Sequence, residues 1–159
     1  YCGGGFGSKG TEYPLMSIPA HLSKKLSRPV MMRISRGEEY ALGSSRPGFQ
    51  GYAKLGFRED GRMTAADIYV IQENGPYMGF WDFRNAGEAV SYMYQPLNMR
   101  WRGMSVLTNT PTRGPQRGPG ENQTAAAIEP LLDKAARMLG LRQDFLGRIP
   151  EHLLGCHDG

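Results

Sequence analysis

A glycine-rich loop near the start of the chain has the residue types best suited to binding chemistry. Gly3-Gly4-Gly5-Phe6-Gly7-Ser8-Lys9-Gly10 surrounds one aromatic side chain with glycines. Because glycine has no Cβ and tolerates positive φ, main-chain N–H groups there can approach a bound group closely. Successive N–H groups in a concave nest, beside a lysine, bind anionic oxygen atoms. The loop therefore predicts a docking site for an anionic group, and a flexible glycine linker is the alternative.

A second loop rich in glycine and proline follows at 110–120, with Arg117 at its centre. The guanidinium of arginine is always charged, and its planar fork suits phosphate or oxo groups. Gly118 and Gly120 keep the neighbouring backbone open. An arginine that only satisfies carbonyls across a turn is the alternative. Both loops lead into predicted helices, and together they form the candidate site.

The sequence does not fully match several common binding and catalytic motifs. Gly5 to Gly10 formally fits G-x-G-x-x-G, but no βαβ unit with an acidic residue follows. A P-loop is excluded because Lys9 is followed by glycine rather than serine or threonine. His21, His152 and His157 lack metal-ligand spacing. We therefore do not expect a metal held directly by protein side chains. No Ser/His/Asp or Cys/His arrangement for nucleophilic catalysis is recognisable either.

Composition indicates one loop-rich domain of ordinary size. The chain has 159 residues, 40% apolar and 21% charged, with 22 glycines, 11 prolines and a net charge of +4. A disulfide cannot be inferred from Cys2 and Cys156, and a reduced intracellular protein is the simpler expectation. The sequence contains neither a membrane-spanning run nor a signal peptide. We therefore expect a cytoplasmic protein. Because the chain starts inside a glycine loop, without methionine, we expect it to be a piece of a longer polypeptide.

Apolar periodicity predicts the elements that carry these loops. A helix is predicted over 11–27, capped by Thr11 and with a kink or late start at Pro19. Alternation predicts strands at 30–34, 49–57, 63–70 and 98–109, the second and third joined by a hairpin at Asp60-Gly61. A short helical turn is predicted at 35–39.

The remaining stretches complete the predicted α+β architecture. Residues 73–96 predict a long irregular connection, or alternatively a segment that lines a site. The apolar stripe of 121–139 predicts a core helix despite Pro130, ended by Gly140 and followed by a short helix at 141–146. The fold class is α+β, a mixed sheet with an antiparallel hairpin and flanking helices. We predict that residues 1–147 form part of one domain and that residues 148–159 form an irregular tail.

An ordered set of motifs gives the chain a family resemblance over about residues 1–145. The motifs are Gly3–Lys9, Arg28-Pro29-Val30, Arg36-Gly37-Glu38-Glu39, the Asp60-Gly61 hairpin, Thr108-Asn109, Gly114–Gly120 and Leu132–Ala136. In this order they resemble the molybdenum-cofactor-binding subunit of the xanthine oxidase/aldehyde oxidoreductase family. The second loop is most similar to 4-hydroxybenzoyl-CoA reductase-like members.

The resemblance implies a molybdenum–molybdopterin cofactor and a water-dependent hydroxylation. The substrate would be an aldehyde, an N-heterocycle or an aromatic acyl compound. Partners would be [2Fe–2S] and FAD domains or subunits and the rest of the large subunit, in an oligomer. The family's general base is a glutamate of the C-terminal half, so no catalytic residue is expected here, and the piece alone is expected to be inactive. The glutamates compared with that motif do not match it: Glu12, Glu38, Glu39, Glu73 and Glu121.

The resemblance also assigns cofactor-binding residues. The backbone of Phe6 and Gly7 would lie beside an oxo ligand of the molybdenum, and Arg117 would lie near the metal and the pterin. Phe6 and Arg117 would thus lie at the metal centre, either through their backbone or by contacting the groups that are bound to the molybdenum. The full set of cofactor-binding residues is Gly4, Gly5, Phe6, Gly7, Arg117 and Gly118.

Departures from the family pattern bear on the substrate. Gly10 stands where xanthine-type enzymes have a glutamate, which disfavours purines. Gly118 stands where carbon monoxide dehydrogenases have a copper-binding cysteine. Pro119 stands where the xanthine-oxidising members have an aromatic residue that stacks on the substrate. Arg84 lies near the sequence position of the arginine that orients the substrate in those members. Arg113 differs from the residue in the reductase-like loop and leaves the substrate class open.

Two alternatives come from other functional classes. One is a basic module that binds single-stranded nucleic acid through interleaved arginines and aromatics: Arg100, Arg102, Arg113 and Arg117 with Tyr94 and Trp101. The other is a structural glycine-loop domain with no cofactor. The resemblance itself implies neither a nucleic acid nor a membrane as partner.

Overall fold

A computed structural model describes residues 4–10, 14–77 and 79–142 of the chain. In chain order the elements are α1 (Pro14–Leu26), α2 (Arg36–Leu42), β1 (Phe49–Phe57), β2 (Met63–Glu73), α3 (Asp82–Met93), β3 (Asn98–Val106) and α4 (Glu121–Leu139). The chain forms two compact units. Unit 1 comprises 1–47, 73–80 and 106–118, and unit 2 comprises 48–72, 81–105 and 119–159. The predicted α+β class is confirmed.

The three strands form one sheet in the order β1-β2-β3. Strands β1 and β2 are antiparallel, with Tyr52 opposite Tyr69, and the predicted hairpin joins them. Strand β3 runs parallel to β2, because their starts and their ends lie together. Near the starts the Leu97 N–H donates to the Met63 carbonyl (3.3 Å), and after the end of β2 the Asn74 N–H donates to Val106 (2.9 Å). The sheet is therefore mixed, as predicted.

The core of unit 2 lies between one face of the sheet and helices α3 and α4. Alternate residues of β2 point into it, among them Ile68, and Val90 of α3 meets them there. The predicted apolar stripe of α4 supplies Ile128, Leu132 and Ala136, so its role in core packing is confirmed. Burying this apolar surface is the main force that holds the helices on the sheet.

The strand predicted at 30–34 is wrong. These residues form no regular element, and no strand pairs with them in the described parts of the chain. Met32, in the middle of the predicted apolar face, is 38% exposed, and neither Val30 nor Ile34 is fully buried, so the alternation does not correspond to a buried face. Ser35 instead caps α2 in a capping box: its Oγ accepts the Glu38 N–H (3.3 Å), and its own N–H donates to the Glu38 carboxylate (2.6 Å).

The irregular connection predicted at 73–96 is also wrong. Strand β2 extends to Glu73, and α3 occupies half of the remaining stretch. Apart from Asp82 in the first turn, the buried residues of α3 are the small Ala86, Gly87 and Ala89, followed by Val90. The N-cap Trp81 makes no side-chain capping bond. The usual signals of a helix, large apolar residues at helical spacing and a polar N-cap, are therefore weak in this segment.

Both prolines within helices are tolerated. Helix α1 begins at Pro14 and continues through Pro19, and α4 continues through Pro130 to the predicted stop at Gly140. The predicted Thr11 cap, the helix at 141–146, and the tail from 148 with its domain boundary lie wholly or partly outside the described residues. No described helix has the length and apolar character that crossing a membrane requires.

Candidate functional site

The first glycine loop holds its backbone in a conformation that is unusual for non-glycine residues. Phe6 has φ +53°, between Gly4 and Gly7 with φ +101° and +113°. The Ser8 N–H donates to the Gly5 carbonyl (3.0 Å), and the Gly10 N–H donates to the Gly7 carbonyl (3.1 Å). The amides of Phe6 and Gly7 donate to none of the residues that the structure describes. Two adjacent N–H groups are thus available to a bound acceptor.

The two glycine loops lie against each other. A Cβ on Gly7 would be 2.5 Å from the Pro115 carbonyl oxygen and 3.1 Å from Gln116 Cα, so a side chain there would force the loops apart. The Arg117 guanidinium carbon lies 5.2 Å from the centre of the Phe6 ring, within the range of a cation–π contact. Phe6 is 62% exposed. The structure thus brings together the aromatic of the first loop and the arginine of the second.

A third segment, residues 44–46, contacts both loops. The Ser44 hydroxyl donates to the Ser8 carbonyl (3.3 Å), and the side-chain amide of Gln116 donates to the Ser44 carbonyl (3.5 Å). Arg46 donates to the carbonyls of Arg117 (2.7 Å) and Gly118 (2.8 Å). Nothing in the sequence singles out this segment, because serines and an arginine between two elements are typical of any polar connection.

Arg113 anchors the start of the second loop rather than facing a ligand. Its side chain is 17% exposed and forms an ion pair with Glu73 and a hydrogen bond with the Ser45 hydroxyl. The backbone N–H of Arg113 donates to the Asn74 carbonyl (3.3 Å). The side chain and the backbone of Arg113 therefore both tie the loop to the residues at the end of β2.

Unit 1 has a strong excess of positive charge. Among its described residues, nine lysines and arginines stand against three glutamates, a net charge of +6. Each glutamate is already engaged: Glu38 in the helix cap, Glu39 with Arg36, and Glu73 with Arg113. The Ser35 N–H lowers the pKa of the Glu38 carboxyl, which keeps it ionised in the cap. Unit 1 therefore offers cations and N–H donors to a ligand.

The site residues fit an anionic cofactor that carries its own metal ligands. Within residues 4–10, 14–77 and 79–142, no group of three His, Cys, Asp or Glu is placed to hold a metal ion. The two available amides, the Arg117 guanidinium and the net charge of unit 1 all favour anionic oxygen atoms instead. A molybdenum held by a pterin dithiolene meets this requirement, because it needs no protein thiolate or imidazole.

The proposed substrate residues fall in different units. Gly10 belongs to unit 1 and bonds within the first loop. Arg84 and Pro119 belong to unit 2. The Arg84 guanidinium stacks on the Trp81 ring at 4.1 Å, and Pro119 precedes Gly120, whose backbone packs against the first turn of α3. The structure therefore groups Gly10 with the cofactor candidates and places Arg84 and Pro119 near one end of α3.

The residues proposed for nucleic-acid binding do not form a common surface in unit 2. Arg100 pairs with Asp67 (2.5 Å) on one side of β3. Trp101 points to the other side and packs over Gly87. Tyr94 is 7% exposed and donates to Glu129 (2.5 Å). Tyr94 is buried and Trp101 is half-buried against the core, so both aromatics serve internal packing, which argues against that alternative.

Comparison with known proteins gives a consistent family. Residues 1–148 match the molybdopterin cofactor-binding domain. The chain is 32% identical over 146 residues to the xanthine dehydrogenase molybdenum-binding subunit of Escherichia coli O157:H7, covering 89% of the chain and 19% of that protein. It is 31% identical over 149 residues to aldehyde oxidase 1 of Bos taurus, covering 87% and 11% respectively. The chain thus spans at most about a fifth of these relatives.

A solved structure agrees with these relatives. Quinoline 2-oxidoreductase from Pseudomonas putida 86 superimposes with a TM-score of 0.79 at 30% identity, over 89% of the chain and 19% of that protein. Sequence and fold both support the resemblance stated from the motifs. The chain belongs to the molybdopterin cofactor-binding family of the xanthine dehydrogenases and aldehyde oxidases.

Proposed function

We propose that this chain forms one wall of a molybdenum–molybdopterin site in a hydroxylase of this family. The observation that carries the proposal is the pair of available amides at Phe6 and Gly7 beside the Arg117 guanidinium. When bound, the cofactor would supply two-electron oxidation chemistry with water as the source of oxygen. The substrate class we propose is an aldehyde, an N-heterocycle or an aromatic acyl compound.

The Phe6 and Gly7 amides would donate to an anionic oxygen of the cofactor. Their direction is set before binding, because positive φ values and the contact of Gly7 with Pro115 fix the loop. Preorganised donors stabilise negative charge without the reorganisation that water would need. Gly4 and Gly5 shape the same loop, and this is the role that we assign to them.

Arg117 would add a permanent positive charge at the same place. Because an arginine guanidinium is always charged, it favours an anionic cofactor. Its stacking on Phe6 limits the directions that the side chain can take. Gly118 accommodates the turn that follows with φ +70°.

Substrate selection would depend on positions near the loops. Gly10 provides no carboxylate for a purine, and Gly118 provides no thiolate for copper. We therefore exclude purine and carbon monoxide chemistry from the proposal. We assign Pro119 and Arg84 to the substrate side of the site, by the resemblance.

Proton transfer would come from outside the described residues. The three described glutamates of unit 1 are engaged with a cap or with arginines, so none of these three is placed to act as a base on a substrate. The base, the [2Fe–2S] clusters and FAD would lie on other parts of the large subunit or on partner subunits. Water-dependent oxidation thus needs the assembled enzyme.

Metal and pterin analysis of the full-length protein tests the proposal. We expect molybdenum and an oxidised pterin product in a ratio near one, and a clear loss of both in Arg117→Ala. The matched control is Arg36→Ala, because Arg36 is an exposed arginine of the same unit that pairs only locally with Glu39. A purified protein with neither molybdenum nor pterin would support the structural glycine-loop alternative instead.

A further inference from the structure

We propose that Arg46 is a positioning residue that holds Arg117 beside Phe6. The inference rests on the proposed function of Arg117 and adds a residue to which neither the motifs nor the family resemblance gives a role. The two terminal nitrogens of Arg46 donate to two successive carbonyls of the second loop, those of Arg117 (2.7 Å) and Gly118 (2.8 Å).

The geometry of these bonds fixes the backbone on which the Arg117 side chain stands. A guanidinium is planar and rigid, so two nitrogens bound to neighbouring carbonyls define the orientation of both peptide groups. Because the Arg117 carbonyl belongs to the residue that stacks on Phe6, this orientation restricts the backbone of Arg117 and with it the direction of its Cα–Cβ bond. Arg46 therefore limits how far the Arg117 guanidinium can move from the Phe6 ring.

Arg46 itself extends from a backbone that is tied to the same loop. The Ser45 N–H donates to the Thr112 carbonyl (3.1 Å), and the Gly114 N–H donates to the Ser45 carbonyl (3.0 Å). The next residue, Pro47, is buried. The second loop is thus held from Thr112 to Gly118 by consecutive residues of the 44–46 segment.

Loss of the Arg46 side chain would release the central part of the loop. The carbonyls of Arg117 and Gly118 would turn to water, while the Ser45 bridge would still hold the start of the loop. We expect the fold to persist and the Arg117 guanidinium to sample positions away from Phe6. The effect on the site would then pass through Arg117, which distinguishes positioning from simple support of the fold.

The experiment compares four variants of the full-length holoenzyme: Arg46→Ala, Arg46→Lys, Arg117→Ala and the Arg46/Arg117 double alanine variant. The readouts are kcat and KM, molybdenum content per protein, and the electron paramagnetic resonance spectrum of the reduced metal centre. We expect Arg46→Ala to lower kcat by about 10–100-fold, as a displaced charge does. In the fraction of each protein that still holds molybdenum, its spectrum should shift in the same direction as that of Arg117→Ala, and Arg36→Ala is the matched control.

Coupling between the two arginines decides the outcome. We expect the double variant to be little worse than Arg117→Ala alone, because Arg46 acts through Arg117. Arg46→Lys should recover part of the activity, since an ammonium can still reach one carbonyl, and it keeps the test available if the alanine variant does not fold. Independent, additive losses, or a lower melting temperature with an unchanged spectrum, would overturn the proposal.

The same series separates this inference from the proposed function. If Arg117→Ala leaves the spectrum, the metal content and kcat unchanged, then Arg117 has no role at the cofactor and both proposals fail. If Arg117→Ala changes them while Arg46→Ala does not, the proposed function stands and the role of Arg46 is refuted.

Discussion

At the scale of single residues, the candidate site depends on glycines whose backbone conformation or close contacts no other residue could replace without strain. The sequence indicated a nest of N–H groups in the first loop, and the positive φ values of Gly4, Phe6 and Gly7 agree with that interpretation. The sequence did not indicate that Gly7 touches Pro115, because a contact between distant loops has no local signature. For the same reason, the sequence did not indicate that Ser44 and Arg46 contact the loops.

Gly7→Ala tests this contact. The new Cβ would be 2.5 Å from the Pro115 carbonyl oxygen on a backbone with φ +113°. Strain and overpacking together should lower the free energy of unfolding by about 2–5 kcal/mol. We also expect the purified full-length protein to lose most of its molybdenum.

The control for that substitution is Gly37→Ala in α2. A Cβ there would be 4.0 Å from its nearest neighbour, the Ser35 hydroxyl oxygen, so the helix should gain stability slightly. Equal metal contents in Gly7→Ala and Gly37→Ala would show that the loops do not need their close contact.

Tyr94 provides a prediction about alkaline pH. Burial raises the pKa of its hydroxyl, and the hydrogen bond to Glu129 raises it further. Above the pKa of an unfolded tyrosine, about 10, the folded state holds its proton more tightly than the unfolded state does. The contribution of this group to stability is therefore complete below that pH and is lost as pH rises above it.

Urea denaturation at a series of pH values checks this prediction. Tyr94→Phe should lower the free energy of unfolding at neutral pH by about 1 kcal/mol, through loss of the hydrogen bond. Its stability should fall less steeply than that of the natural protein above about pH 10. Parallel declines of the two proteins in that range would show that Tyr94 does not titrate as described.

At the scale of elements, prediction succeeded where one face of an element is strongly apolar. The stripe of α4 and the alternation of β1 and β2 match the structure, because each buries large apolar residues against a common core. Helix α3 was missed because its buried face has small residues. The segment at 30–34 was misassigned because alternation cannot show whether a partner strand exists.

Ile128→Ala tests the stripe of α4. Ile128 is 1% exposed in the core, so the substitution leaves a cavity and should lower the free energy of unfolding by about 2–5 kcal/mol. Met138 lies on the same helix but is 77% exposed. Met138→Ala should change stability by less than about 0.5 kcal/mol. Similar midpoints for the two variants in denaturant would contradict the assigned packing.

At the scale of the whole molecule, the division of charge matches the division of function that we propose. Unit 1 carries the first loop and the second loop as far as Gly118. Its described residues have a net charge of +6, against +4 for the whole chain, and its three described glutamates serve local structure. The motif order could predict the family, since it covers nearly the whole chain. The convergence of the loops could not be derived from spacing, because it depends on the 44–46 segment between two other elements.

The isolated chain of 159 residues is predicted to be inactive. Among the described residues of unit 1, no carboxylate is placed to act as a base, and our proposal puts the electron-accepting groups elsewhere. Aldehyde oxidation assays with an artificial electron acceptor should give the buffer rate for the isolated chain and a measurable rate for the full-length protein. Turnover by the isolated chain would show that the proposed division of labour is wrong.

Anomalous diffraction at the molybdenum absorption edge, from crystals of the full-length holoenzyme, tests the central claim most directly. We predict a single strong peak beside the Phe6 and Gly7 amides, with the Arg117 guanidinium on the same side of the loop. A molybdenum peak remote from the first loop, with Phe6 and Arg117 still stacked on each other, would contradict the proposed site.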